Sequence, residues 1–199
     1  MAYNPQHPAR RSPRLKGYGY SQEGAYFVTV CVQHRQPLFG TVQDGVMHLN
    51  DAGHMVAACW ERLPAKFPDV ELDLYCVMPN HFHGIVLILR APEPQTGAHG
   101  GAPLQDAGDV VGAEPVRPKE VPLGIRPNTS LSAALQWFKS LTTHTYMHGV
   151  REHQWESFHR KLWQRSFHDH IIRSEEALNV LRAYTEQNPA RWEADEFYG

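Results

Sequence analysis

The segment MPNHFHGIVLI, residues 78–88, sets His81 and His83 either side of Phe82 in a run otherwise made of strand-forming residues. Side chains of an extended chain alternate between faces, so both imidazoles project together while Phe82 points the other way. Two imidazoles on one face can hold one metal ion. The plain alternative is a pair of packing or surface histidines, because the chain has 13 histidines and His168 and His170 repeat the spacing. Near the end of the chain, YTEQN places Tyr184 and Asn188 four apart on one helical face, with Gln187 close to it. A helix laid beside the histidine strand can offer a phenol nucleophile and an amide oxygen to the same metal. Taken singly, Tyr184 also suits helix packing and Asn188 suits a helix end before Pro189.

The elements that must position these residues follow from periodicity and capping. AYFVTVCVQ (25–33) is β-branched and aromatic and reads as a buried strand, and DGVMHLN as a short hairpin arm. Asn50 can cap a helix whose inner face carries Met55, Val56, Cys59, Trp60 and Leu63. VELDLYCVM and HFHGIVLIL meet at Pro79-Asn80, a turn signal that predicts an antiparallel hairpin. Residues 91–129 are crowded with Pro and Gly and read as an inserted flexible loop. Ser130 can cap a helix with Leu131, Leu135, Phe138 and Leu141 or Thr142 inward. SFHDHIIR is strand-like, and SEEALNVLRAYTEQNP has a serine cap, two acids in its first turn and a stop at Asn188-Pro189. The order predicts an α+β fold, a ferredoxin-like or RRM-like βαββαβ antiparallel sheet with an extra C-terminal helix carrying the tyrosine. Helices on one face leave the other as an open floor for a ligand.

Composition bounds the function. With 199 residues and 42% hydrophobic content the chain can bury a core as one domain. Its net charge of -2 gives no overall basic signature for nucleic acid, so any such binding rests on local patches. One is PARRSPRLKGYGY, where Arg10, Arg11, Arg14 and Lys16 run into Tyr18 and Tyr20, a single-strand grip or a solvated terminus. No apolar run reaches membrane-spanning length and the first residues lack a secretory core, so no membrane partner and a cytoplasmic location are expected. Cys31, Cys59 and Cys76 are widely spaced in apolar stretches, as reduced core cysteines are.

GAYFVTVCVQHRQPLFG, LYCVMPNHFHGIVLI, LSAALQWFKSLTTH and LWQRSFHDHIIRSEEALNVLRAYTEQNP together resemble the single-tyrosine transposases with an HUH motif, above all the REP-associated tyrosine transposases. The resemblance covers most of residues 14–192, and its specific part is PNHFHG combined with a late helix carrying Y-x-x-x-N-P. It implies that residues 1–20 are a basic and aromatic DNA-contacting segment, 21–192 the transposase domain with the 91–129 insertion inside it, and 193–199 a tail. It also implies that His81 and His83 are the metal-binding pair, Tyr184 the nucleophile and Asn188 the residue that completes the metal ligands. RLKGYGYS would contact the recognised DNA, through Arg11, Arg14, Lys16 and Tyr18. Lys139, Arg165, Arg173 and Arg182 are candidate phosphate contacts, and His170, with Gln187, can support the ligands. Trp137, Phe138, Trp155 and Trp163 read as core aromatics.

The implied partner is single-stranded DNA with hairpin-forming, REP-like repeats, and the implied cofactor is Mg²⁺ or Mn²⁺. The implied activity is a metal-dependent endonuclease and strand-transferase that forms a 5′-phosphotyrosine link, by transesterification and without a nucleotide cofactor. No P-loop occurs in the sequence. Monomer and homodimer both stay open. Two rivals remain: a non-catalytic single-strand nucleic-acid-binding module, and a hydrolytic metal nuclease that leaves no protein–DNA adduct.

Overall fold

The computed structural model describes residues 23–89 and 129–198. Arg11, Arg14, Lys16 and Tyr18 therefore lie outside the described residues, as does all of the 91–129 insertion except Thr129. The central sheet is built from β1 (Gly24–Cys31), β4 (Val70–Val77), β5 (His81–Ile88) and β6 (His168–Ile172), in the order β4-β5-β1-β6 with every neighbour antiparallel. Numbering these four strands along the chain gives the 4-1-3-2 order of a ferredoxin-like sheet, so the expected α+β fold is present. Between β1 and β4 come a small hairpin, β2 (Gly40–Gln43) with β3 (Val46–Leu49), then α1 (Asp51–Glu61) and α2 (Leu63–Lys66). The remaining helices are α3 (Leu131–Glu152) and α4 (Glu175–Gln187), followed by a 3-10 helix at Pro189–Ala194.

The caps predicted from sequence all form. Asn50 accepts from the Gly53 amide at 2.9 Å, Ser130 from Ala133 at 3.1 Å and Ser174 from Ala177 at 3.2 Å. The first helix is not continuous through Lys66, because Pro64 has no amide hydrogen to extend the ladder and the chain restarts as α2. At the start of α3, the buried carboxylate of Asp69 accepts from both the amide and the hydroxyl of Thr129, fastening the helix to the entry of β4.

Alternation along the strands makes two faces. Tyr26, Val28 and Val30 of β1, with Phe82, Val86 and Ile88 of β5, join Trp60 of α1 and Leu135 and Phe138 of α3 in the main core. Gly84 lies on that side, where an added Cβ would come within 2.7 Å of the Trp60 indole. The glycine after the second histidine is thus required by packing. Trp163 and Phe138 are core aromatics as expected, with the Trp163 indole donating to Thr142 at 2.8 Å.

The second face is not the open floor the strand order suggested. Phe27, Ile85 and Ile172 on it form a smaller cluster with Ala177, Leu178, Leu181 and Tyr184 of α4. Of the segment 193–199, read from sequence as a tail, the described residues also return to this face, since Phe197 is buried there.

Candidate active site

His81 and His83 occupy the first turn of the pleat in β5 and face the α4 side of the sheet, with 0% and 1% of their surfaces exposed. Their Nε2 atoms lie 2.9 Å apart. Two ligands at a right angle on metal bonds of about 2.1 Å are about 3.0 Å apart, so the pair has the spacing of adjacent ligands on one ion. The far nitrogens are held by other groups. Asn80 gives its amide nitrogen to the carbonyls of Arg35 (3.2 Å) and Phe197 (2.8 Å), which turns its oxygen to His81 Nδ1 at 2.9 Å. An oxygen there calls for a proton on Nδ1 and leaves Nε2 a free lone pair. His83 Nδ1 is held by the Thr29 hydroxyl at 2.8 Å.

Burial pushes both imidazoles down to about 3. The Asn188 amide opposes that shift at His81, and the neighbouring His81 adds to it at His83. Both rings are consequently neutral, the form that binds a metal. Cys31 and Cys76 sit beside His81 and His83 on the flanking strands, and burial raises their thiols to about 11 and about 12. Neither thiol supplies a thiolate at neutral pH, so the available donors are nitrogen and oxygen.

Tyr184 and Asn188 are brought to the same place. The Tyr184 ring packs edge-on against His83 at 5.4 Å between centroids and against Phe27 at 5.9 Å. Burial raises the phenol pKa, the carboxylates of Asp195 and Glu196 raise it further, and the Asn188 amide acts the other way. Asn188 caps α4, is buried, and donates from Nδ2 to Asp195 Oδ2 at 2.8 Å. Its Oδ1 is buried without a hydrogen-bond partner. That carbonyl oxygen, beside the two imidazole nitrogens, suits a cation, because leaving it unpaired otherwise costs about 1–3 kcal/mol.

Sequence reasoning missed three contributors. Asp195 offers an oxygen that, with the two histidine nitrogens, forms a set all within 4.8 Å of one another. Seven residues beyond Asn188, outside any periodic element, it gave no sequence signal. Asn80 stands next to His81 in PNHFHG and was read only as a turn residue, although a carbonyl-bearing neighbour is the usual support of a ligating histidine. Phe197 lies 4.9 Å from the His81 ring and 5.9 Å from His83, so its side chain covers the pair.

Other predicted residues are placed differently. His170 is exposed opposite Phe27, and it is His168, paired with Thr29 and 6.1 Å from the Phe197 ring, that stands nearer the histidine pair. Gln187 is exposed at the end of α4. Lys139 is not a free phosphate contact: its ammonium donates to the carbonyls of Gln164 (2.6 Å) and Arg165 (3.1 Å), and burial lowers its pKa to about 8. Arg182 is engaged by Asp73, while Arg165 and Arg173 are exposed.

No family model matches the chain. Among solved structures, it is similar to a REP-associated tyrosine transposase bound to a REP hairpin, with a TM-score of 0.49, 18% identity, and coverage of 85% of this chain and 68% of that one. It is also similar to a candidate transposase from Deinococcus radiodurans, with a TM-score of 0.42, 13% identity, and coverage of 87% and 96%. In sequence, it is 34% identical over 199 residues to an uncharacterized protein of Haemophilus influenzae (strain ATCC 51907 / DSM 11121 / KW20 / Rd). That match spans 98% of this chain and 97% of the relative, and the chain belongs to the same family as the Haemophilus influenzae protein.

Proposed function

We propose that the protein is a metal-dependent single-strand DNA endonuclease and strand-transferase that cuts at hairpin-forming repeats through a covalent link to Tyr184. The observation that carries this reading is the convergence, on one sheet face, of two imidazole Nε2 atoms 2.9 Å apart and a phenol ring 5.4 Å from one of the imidazoles. The motif resemblance of PNHFHG and Y-x-x-x-N-P supports it independently. A Mg²⁺ or Mn²⁺ ion held by His81, His83 and an oxygen of Asn188 or Asp195 would, when bound, polarise the scissile phosphate.

The chain's residues do the rest. Asn80 and Thr29 fix the imidazole planes, so the ligand nitrogens need no rearrangement. Tyr184 loses its proton and its oxygen attacks phosphorus, the bond to the 3′ oxygen breaks, and that oxygen takes up a proton. The products are a 5′-phosphotyrosine and a free 3′-hydroxyl. One phosphodiester has replaced another, so a second 3′-hydroxyl can attack the link, rejoin DNA and return the phenol. His83, Phe27 and α4 confine the ring edge-on, limiting the directions from which the phenol can approach.

The test is a denaturing gel of 5′- and 3′-labelled hairpin DNA with single-stranded flanks, incubated with protein and Mn²⁺. The wild type is expected to cut and to carry the label of the 5′-phosphate side on protein, whereas Tyr184→Phe binds DNA but forms no adduct. Cleavage with no adduct would establish a hydrolytic nuclease, and binding without cleavage a non-catalytic module.

A further inference from the structure

A groove lies away from the histidine pair, along the outer side of α3. It has a volume of about 750 Å³ and runs between that helix and residues 160–167. Arg160, Lys161, Arg165, Lys139 and His144 line it with Ser140, and no carboxylate is among its lining residues. In a chain whose net charge is -2 with histidines neutral, four lysine and arginine side chains along one groove are a local reversal of sign. The rest of the floor adds hydroxyl and amide groups from Ser132, Gln136 and Thr143, the donors that accompany cations on phosphate oxygens.

Connectivity fixes where this groove stands relative to the site. Val32 bridges to Trp163, Gln164 donates to the carbonyl of Cys31, and Gln33 donates to that of Leu162. Residues 162–164 therefore extend the β6 edge of the sheet beyond its last regular pair, next to the end of β1. Cys31, on the other side of β1, pairs with His81. The groove wall is thus two strand spacings, about 10 Å, from the histidine pair. Lys139 ties this wall to α3 through the carbonyls of Gln164 and Arg165, so the basic residues are carried on a fixed edge.

We propose that this groove binds the sugar–phosphate backbone of the DNA that leads away from the tyrosine site, with Arg160, Lys161 and Arg165 as its phosphate contacts. The proposal rests on the reading of the site as a DNA-processing centre and names where the substrate continues: round the β6 edge and along α3. Stacking is not its mode of recognition, because Trp163 is 3% exposed and packs inward. The occupant is therefore selected by charge and backbone geometry more than by base identity.

The experiment measures equilibrium binding of a fluorescently labelled DNA hairpin with single-stranded flanks, over a series of salt concentrations. It compares the wild type, Arg160→Ala/Lys161→Ala/Arg165→Ala, and a control, Arg62→Ala/Lys66→Ala, which removes exposed charge from the α1–α2 corner. The groove variant is expected to bind about tenfold or more weakly, with a salt dependence shallower by about 2–3 counterions, because each phosphate contact contributes about 0.9. The control is expected to match the wild type. Equal weakening in both variants would overturn the proposal by making the effect one of net charge. So would an unchanged groove variant, or one that loses only self-association, which would assign the groove to a second copy. The readout is binding alone, so absence of a tyrosine adduct leaves this result standing and is a separate failure.

Discussion

The side chain of Asn80 joins two parts of the protein: its nitrogen holds the carbonyls of Arg35 and Phe197 and its oxygen orients His81. Removing it frees the ring and its tautomer, so Asn80→Ala is expected to weaken Mn²⁺ binding about 10–100-fold, measured calorimetrically, with the fold retained. Unchanged affinity would mean that His81 does not depend on that support. The buried imidazoles also predict a pH dependence. An unfolded chain protonates them near 6.5, while burial holds them near 3 in the folded one. Between these values the unfolded chain binds more protons, so their contribution to stability is complete above about pH 6.5 and is lost as pH falls toward about 3. The Tm of the metal-free protein should decline through that window, and His81→Gln/His83→Gln should flatten the decline. At this scale the sequence was informative where spacing carries geometry: H-x-H in a strand and Y-x-x-x-N in a helix each put two side chains on one face. Asp195 and Phe197 reach the site only through the return of the chain after Pro189, which no local period encodes.

At the scale of elements, α4 is the part whose placement decides whether the candidate site comes together. Its Ser174 cap, acidic first turn and Asn188 end were legible, because each depends on residues within one helix. Its docking was not. It rests on Leu178, Leu181 and Tyr184 against Phe27 and Ile85, and on Arg182, which donates from Nε to both Asp73 oxygens at 3.1 Å and from Nη2 to Oδ2. Asp73 sits at the irregularity in β4 between Leu72 and Tyr75, and the Arg182 guanidinium holds its carboxyl below the usual range. This fork positions the tyrosine helix across the sheet. Arg182→Ala is expected to lower cleavage by up to about a hundredfold, the effect of an ångström-scale misplacement, while Mn²⁺ affinity changes little. Equal loss of metal binding would show that the ion pair holds the sheet and not the helix. The expectation of a bare second sheet face failed for the same reason: strand order specifies where α1 and α3 cross, and says nothing about a helix appended after the last strand.

Among the described residues, one face of the sheet stores a core and the other carries the candidate site, with the C-terminal segment closing over it. Phe197 covers the histidine pair, Arg35 lies 5.7 Å over its ring and donates to the Glu196 carbonyl at 2.8 Å. Phe197→Ala should expose the pair and raise the initial rate of single-strand cleavage, read as adduct formed per minute; a slower rate would assign Phe197 to holding DNA. Among the described residues no helix is long and apolar enough to cross a membrane. Tyr184 and His83 meet within a single chain.

The most direct test of the account is to digest the protein–DNA adduct formed with Mn²⁺ and identify the DNA-linked peptide by mass spectrometry. The account predicts one modified residue, Tyr184, bearing the 5′-phosphate of the cut strand, and no adduct when both histidines are replaced. Attachment at any other residue, or full cleavage by Tyr184→Phe, would contradict it.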